Sequence, residues 1–155
     1  MGVKRILVPV DFSKGSLRAL AYATRLARPL GAEIVVLFVV EPIHPAVAVD
    51  YYSPVLDRAL AEQKATGRTE LSRIVKRLES RRVKSRAFLA TGAPYREIVD
   101  RANKLRANLI VMGTHGRTGI ARLFLGSVAE RVVRTAACPV LTVRGQEKPE
   151  ARRRR

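Results

Sequence analysis

The sequence predicts one α/β domain built on a five-stranded, mainly parallel sheet with helices on both faces, and three observations carry this. Four near-continuous runs of valine, isoleucine and leucine stand out, at residues 5–10, 33–40, 109–112 and 139–143. A strand buried on both faces has no polar side to present, so it reads as an unbroken apolar run. Between the runs lie segments with apolar residues at helical spacing. The resulting order, β-α-β-α-β-α-β-α-β, calls for crossover connections and parallel neighbours. Finally, 155 residues is the length of one ordinary domain with a sizeable core.

The first run, RILVPV, meets an acid, Asp11, at its end. Ser13 can then cap a helix that turns Ala19, Leu20, Ala23, Leu26 and Ala27 inward and closes near Pro29 and Gly31. The second run, EIVVLFVV, is followed by a two-proline loop over residues 41–52, in which His44 has no evident partner. Residues 53–81 place Leu56, Leu60, Leu71, Ile74, Val75 and Leu78 at helical spacing, with Gly67 expected to break or bend the helix. Residues 84–89 alternate more, which suits an edge strand. Pro94 fits a first helical position and turns Ile98, Val99, Ala102 and Leu105 inward. The last helix, residues 127–135, does the same with Val128, Val132 and Val133. The domain is expected over residues 1–144, with residues 145–155, ending in Arg152 to Arg155, as a disordered basic tail.

The bulk numbers narrow the function classes. No apolar stretch is long enough to cross a bilayer, and MGVKRILVPVD does not read as a signal peptide. The one cysteine, Cys138, lies in an apolar setting and is expected to act as a small buried hydrophobe, which fits a reducing cytoplasm. The formal net charge of +17 is the anomaly. Such a charge attracts polyanions without sequence preference. The basic residues are spread over every helical segment, however, and no segment interleaves them with aromatic residues. Non-specific nucleic-acid binding therefore stands as an alternative, with solvated basic faces as the default.

The chemistry concentrates after the fourth strand. Gly113 ends it, Gly116 follows three residues later, and Gly126-Ser127 opens the last helix. Glycines let a backbone approach a ligand closely. A helix N-terminus offers unpaired N–H groups and a positive dipole end, which together favour phosphate. Both halves can converge on one polyphosphate, with Arg117 and His115 nearby to offset charge. No Gly-Lys-Ser/Thr follows, so this is not a Walker loop, and it does not follow the first strand as a dinucleotide fingerprint would.

The full pattern, Gly113 and Gly116 separated by two residues, nine residues from Arg117 to Leu125, then Gly126-Ser127, resembles that of the universal stress protein family. The resemblance runs from ILVPVDFS through LFVVEP to the closing CPVLTVR, nearly the whole chain. It implies the family's ATP-binding branch and a Rossmann-like sheet in the order 3-2-1-4-5, as in the adenine nucleotide alpha hydrolase-like fold. Strands one and four are then neighbours at the topological switch point. By family match, Pro9, Val10 and Asp11 line the nucleoside end, Val39 offers backbone hydrogen bonds to adenine, and Met112 packs by the base or sugar. Gly113, Thr114, His115, Gly116, Arg117, Thr118 and Gly119 would wrap ribose and phosphates, with Gly126, Ser127 and Val128 holding the phosphates. The implied ligand is ATP, with ADP and AMP as alternatives, and magnesium or manganese carried by the phosphates. Family members pair the last strand with its copy, so Val140, Leu141, Thr142 and Val143 are expected to form a homodimer interface.

Hydrolysis would need a group that positions water in line with the γ-phosphate. His115 and Arg117 are the candidates, but no Ser-His-Asp order, metal-ligand spacing or paired carboxylates accompany them. The expectation is an ATP-binding regulatory protein of the stress response with an unknown protein partner. A polyanion-binding protein and a slow, partner-stimulated ATP hydrolase are the alternatives.

Overall fold

The computed structural model describes residues 2–42, 54–114 and 126–144. The elements run β1 (Arg5–Val10), α1 (Lys14–Leu30), β2 (Glu33–Val40), α2 (Pro54–Ser80), β3 (Ser85–Thr91), α3 (Pro94–Leu105), β4 (Leu109–Gly113), α4 (Ser127–Thr135) and β5 (Val140–Val143). All strand pairs are parallel, in the order β3-β2-β1-β4-β5. The five expected strands are all present, and β3 takes the edge that its alternation suggested.

Each central strand divides its side chains between two cores. Ile6, Val8, Ile34, Val36 and Phe38 pack with Ala19, Ala23, Leu71 and Ile74 of α1 and α2. Leu7, Val35, Leu37 and Ile110 pack with Ile98, Ala102, Ala129 and Val132 of α3 and α4. Two apolar faces leave no place for a polar alternate, which is why these strands read as continuous runs. Cys138 is half-buried against the second core, and burial pushes its thiol pKa up.

Two details differ from the sequence reading, at Gly67 and Val133. Gly67 neither breaks nor bends α2, which is continuous through it. A Cβ there would stand 2.5 Å from two ring carbons of the buried Phe38, so glycine lets α2 close on the sheet. Val133 is 47% exposed. In the short α4 Ala129 and Val132 are buried and Val128 packs against the same core, while Val133 is turned away from that stripe. Pro29 sits inside the last turn of α1, and the stop belongs to Gly31, whose left-handed φ of 61° suits glycine. His44 and the tail at 145–155 lie outside the described residues.

The amino end of the sheet is tied by polar groups. Glu33 accepts from Arg5 at 2.8 Å and pairs with Arg86 at 2.9 Å, joining β1, β2 and β3. Arg5 also donates to the Leu105 carbonyl, and Asn108 Oδ1 accepts from Lys4 N and Arg5 N at 2.9 Å. These bonds leave the carboxyl ends of the strands for other uses.

Because Phe38 cannot move out of a filled core, Gly67→Ala is expected to cost about 1–3 kcal/mol of overpacking. Better helix propensity returns only about 1 kcal/mol. A lower urea midpoint than wild type, partly restored by Phe38→Leu in the same chain, is the expected result.

Candidate functional site

The site begins with a ladder that stops early. β1 pairs with β4 only at Ile6↔Leu109 and Leu7↔Ile110. Its other ladder, with β2, runs on to Val10↔Phe38, and β4 pairs with β5 as far as Gly113↔Val143. Asn108 N–H donates to the Arg5 carbonyl, so the backbone groups of residues 5, 7 and 9 face β4. Residue 9 is proline, which has no N–H to give. The two strands part at that point and a crevice opens between them. It also marks the switch point, since α1 leaves β1 to one face and α4 leaves β4 to the other.

A cavity of about 370 Å³ occupies the crevice. Its walls include Pro9, Val10 and Asp11 from β1 and its end, Met112, Gly113 and Thr114 from β4, and Val39 from β2. Gly126, Ser127 and Val128 line it from the start of α4. The structure therefore gathers ten of the fifteen expected ligand-site residues at one cavity. The other five, His115, Gly116, Arg117, Thr118 and Gly119, lie outside the described residues.

The two halves of the glycine pattern do converge. Gly126 N–H donates to the Thr114 carbonyl at 2.7 Å, and Thr114 N–H donates to the Val143 carbonyl at 3.2 Å. Thr114 is only 5% exposed, so both ends of the intervening segment are anchored at the sheet. Gly126 is the N-cap of α4 and brings no side-chain hydrogen bond, and Ala93 does the same for α3. α1, by contrast, is capped by Ser13, which accepts from Ser16 N–H at 3.2 Å. The first turns of both uncapped helices line the cavity, through Ser127, Val128 and Ala129 and through Pro94. Helix starts without a side-chain cap present N–H donors and a positive dipole end, a setting for an anion.

Asp11 is tied into the first turn of α1. Its Oδ1 accepts from Ser13 Oγ at 2.6 Å and from Ser13 N–H at 3.0 Å, while its own N–H donates to Ser16 Oγ at 3.3 Å. Burial works to raise its pKa, but the bonds from Ser13 and Ser16 outweigh it and hold the carboxyl below the ordinary 3.8. Asp11 thus organises the first turn of α1 while lining the cavity. Gly113 also has a packing duty. A Cβ there would meet the Gly15 carbonyl carbon at 3.0 Å and its oxygen at 3.1 Å, so glycine lets β4 and the start of α1 touch. Substituting it would perturb folding as well as any ligand.

Sequence reasoning missed Ser16, Leu37, Glu41, Pro94, Ile98 and Ala129, which also line the cavity. Leu37 was within reach, since it shares a strand face with Val39. Pro94 and Ile98 carried no local signal, because only the crossover after β3 brings α3 over the crevice. Among the described residues no group of three His, Cys, Asp or Glu side chains could hold a metal ion, and no helix is long and apolar enough to cross a membrane.

Comparisons with known proteins agree with this architecture. The model of the universal stress protein family matches residues 2–144. The universal stress protein MJ0531 of Methanocaldococcus jannaschii is 39% identical over 147 residues, covering 94% of this chain and 84% of the relative. The solved structure of MJ0577, from the same organism, superposes with a TM-score of 0.82 at 26% identity, covering 96% of this chain and all of that one. A universal stress protein of Archaeoglobus fulgidus, solved in complex with dAMP, has a TM-score of 0.63 at 27% identity, covering 92% of this chain and 98% of that one.

The lowered pKa of Asp11 has a fixed sign. Its ionised form contributes stability above pH 3.8, and that contribution is lost as pH falls through the lower folded-state value. Asp11→Asn should therefore be less stable than wild type near neutrality, with the gap narrowing below pH 3.8. Urea unfolding at a series of pH values measures it; a gap independent of pH would contradict the assignment.

Proposed function

The chain belongs to the universal stress protein family, and on that premise we propose that its crevice binds ATP, with ADP or AMP as alternatives, as the switch of a stress-response regulator. The observation that carries this is the division of one cavity into two chemistries. Leu37, Val39 and Met112 offer an apolar slot at the β2 and β4 ends, and the uncapped start of α4 offers phosphate donors. The cavity volume of about 370 Å³ falls in the roughly 300–1,000 Å³ range of small-molecule sites. The dAMP held by the Archaeoglobus fulgidus relative supports an adenine nucleotide.

In this reading Pro9, Val10 and Asp11 border the nucleoside, and the backbone of Val39 meets adenine. Met112 and Gly113 lie against the base and sugar, and Thr114 with Gly126, Ser127 and Val128 surrounds the phosphates. Residues 115–119 complete the phosphate end. A magnesium or manganese ion would be carried by phosphate oxygens and water, because the described lining offers Asp11 and Glu41 as its only carboxylates and they belong to different strand ends. At the start of α4 the cavity lining, Gly126, Ser127, Val128 and Ala129, brings no carboxylate or imidazole, which supports binding over turnover. Turnover would fall to His115 and Arg117.

The protein acts as a homodimer through β5. Pro139 and Val143 direct their carbonyls to β4, so Val140 and Thr142 present their backbone groups outward. An apolar edge with open donors and acceptors is stabilised by pairing.

Ser127→Asp keeps every backbone donor of α4 and suits a helix start, yet it sets a negative charge against the phosphates. ATP affinity by calorimetry is expected to fall at least about tenfold, a loss of roughly 1.4 kcal/mol, while adenosine binding changes little. Equal loss of both ligands would count against the proposed orientation. For the dimer, Thr142→Pro removes an outward N–H and leaves the β4 ladder intact. Light scattering should show a dimer for wild type and a monomer for this variant at micromolar concentration; a wild-type monomer would refute the pairing.

A further inference from the structure

Apart from the run Arg152 to Arg155 the charge of +17 is spread along the sequence, yet the fold concentrates part of it on the side covered by α3 and α4. On the side of the sheet covered by α3 and α4, two aromatic rings are each bracketed by two arginines from different elements. The Arg101 guanidinium of α3 lies 4.4 Å from the Phe88 ring centre of β3, and that of Arg86 lies 5.6 Å from the same ring. Tyr95 carries Arg131 of α4 at 5.0 Å and Arg96 at 5.7 Å, and Arg96 Nε also donates to its hydroxyl at 2.8 Å. Tyr95 and Arg101 share a helix and are separated by roughly 9 Å along its axis at 1.5 Å per residue. At 3.6 residues per turn the two side chains leave α3 in different directions, so the first cluster lies on its β3 flank and the second on its α4 flank.

Ion pairing sets these arginines apart from one another. Arg86 is engaged by Glu33. Among the described residues, Arg96, Arg101 and Arg131 take part in no salt bridge. A guanidinium resting on a ring loses less conformational freedom when it binds, and its N–H groups remain at the plane's edge, where they match phosphate oxygens in pairs. The rings are already covered by cations and partly buried, so they do not offer faces for bases to stack on. Nucleic acid carries a negative charge at every nucleotide, whereas an acidic peptide interrupts its carboxylates with neutral residues, so a chain of net charge +17 favours the phosphate backbone. From this arrangement we propose that the β3–α3–α4 face binds the phosphate backbone of nucleic acid, without sequence preference, through Arg96, Arg101 and Arg131. None of the three arginines lines the nucleotide crevice, so the proposal does not rest on ATP binding.

The test is fluorescence anisotropy with a labelled single-stranded oligonucleotide of about 20 nucleotides, between about 50 and 200 mM salt. The full chain is used, with saturating ATP to keep the oligonucleotide ends out of the crevice. Arg96→Ala/Arg101→Ala/Arg131→Ala is compared with Arg18→Ala/Arg25→Ala/Arg28→Ala on α1. The control removes the same charge, including an arginine over Tyr22 at 5.6 Å that has no second element beside it. Three lost phosphate contacts on a single strand should reduce the slope of log affinity against log salt by about 2. The face variant is expected to bind at least tenfold more weakly, and the control within threefold of wild type. Arg→Gln at the same three positions replaces alanine if thermal unfolding shows that the alanine protein is misfolded. Equal losses in both variants would assign binding to bulk charge and overturn the proposal, as would wild-type affinity in the face variant. Competition by polyglutamate as effective as unlabelled DNA at equal charge would also overturn it, in favour of an acidic protein partner.

Discussion

The carboxyl end of the sheet is organised by a hydrogen bond that β1 cannot make. Pro9 stands where the next rung to β4 would form, and the ladder ends two residues earlier, at Leu7↔Ile110. Each strand stays paired on its other side, so the sheet loses little by opening here. The gap lies where the crossovers after β1 and β4 leave to opposite faces, and α3 and α4 border it with their first turns. Asp11 and Thr114 follow immediately on either side. Everything proposed about ligand binding rests on this local failure to pair.

The walls of the gap are held by close approach and not by bulk. Gly113 lets the start of α1 touch β4, and that same turn is fixed by the Ser13 hydroxyl donating to Asp11 and by Asp11 N–H donating to Ser16 Oγ. Phe12, with a left-handed φ of 64°, sets its ring centre 4.6 Å from that of Phe38 at a tilt of 45°, and Phe38 in turn fills the space beside Gly67. Crevice, first turn of α1 and α2 are thus joined by packed groups. The helix starts at α3 and α4 supply the complementary electrostatics through backbone N–H groups. A site built this way favours an anion without placing a lysine in the loop, which suits binding more than phosphoryl transfer.

Charge and function are distributed on two scales. At the crevice, oriented dipoles act over one turn of helix. Over the outer faces, arginines act at longer range, and tertiary contacts decide which are held in position and which remain solvated. Phe88 and Tyr95 are seven residues apart in the chain and belong to different elements, so no linear pattern could show that arginines from β3, α3 and α4 would meet over them.

The sequence by itself determined the five strands, the four helices and their order, because burial on two faces and helical spacing leave direct marks on composition. It also determined the glycine pattern, whereas the assignment of the ten described cavity residues came from family resemblance. The strand order came from family resemblance, since hydrophobic periodicity says which residues are buried and not which strands are neighbours. Only the tertiary structure decided that Gly67 is a contact and not a break, that Val133 faces outward, and that Gly113 packs against Gly15. It alone brought Pro94, Ile98 and Glu41 to the cavity. These depend on distances between segments remote in the chain, and local propensity carries no information about such distances.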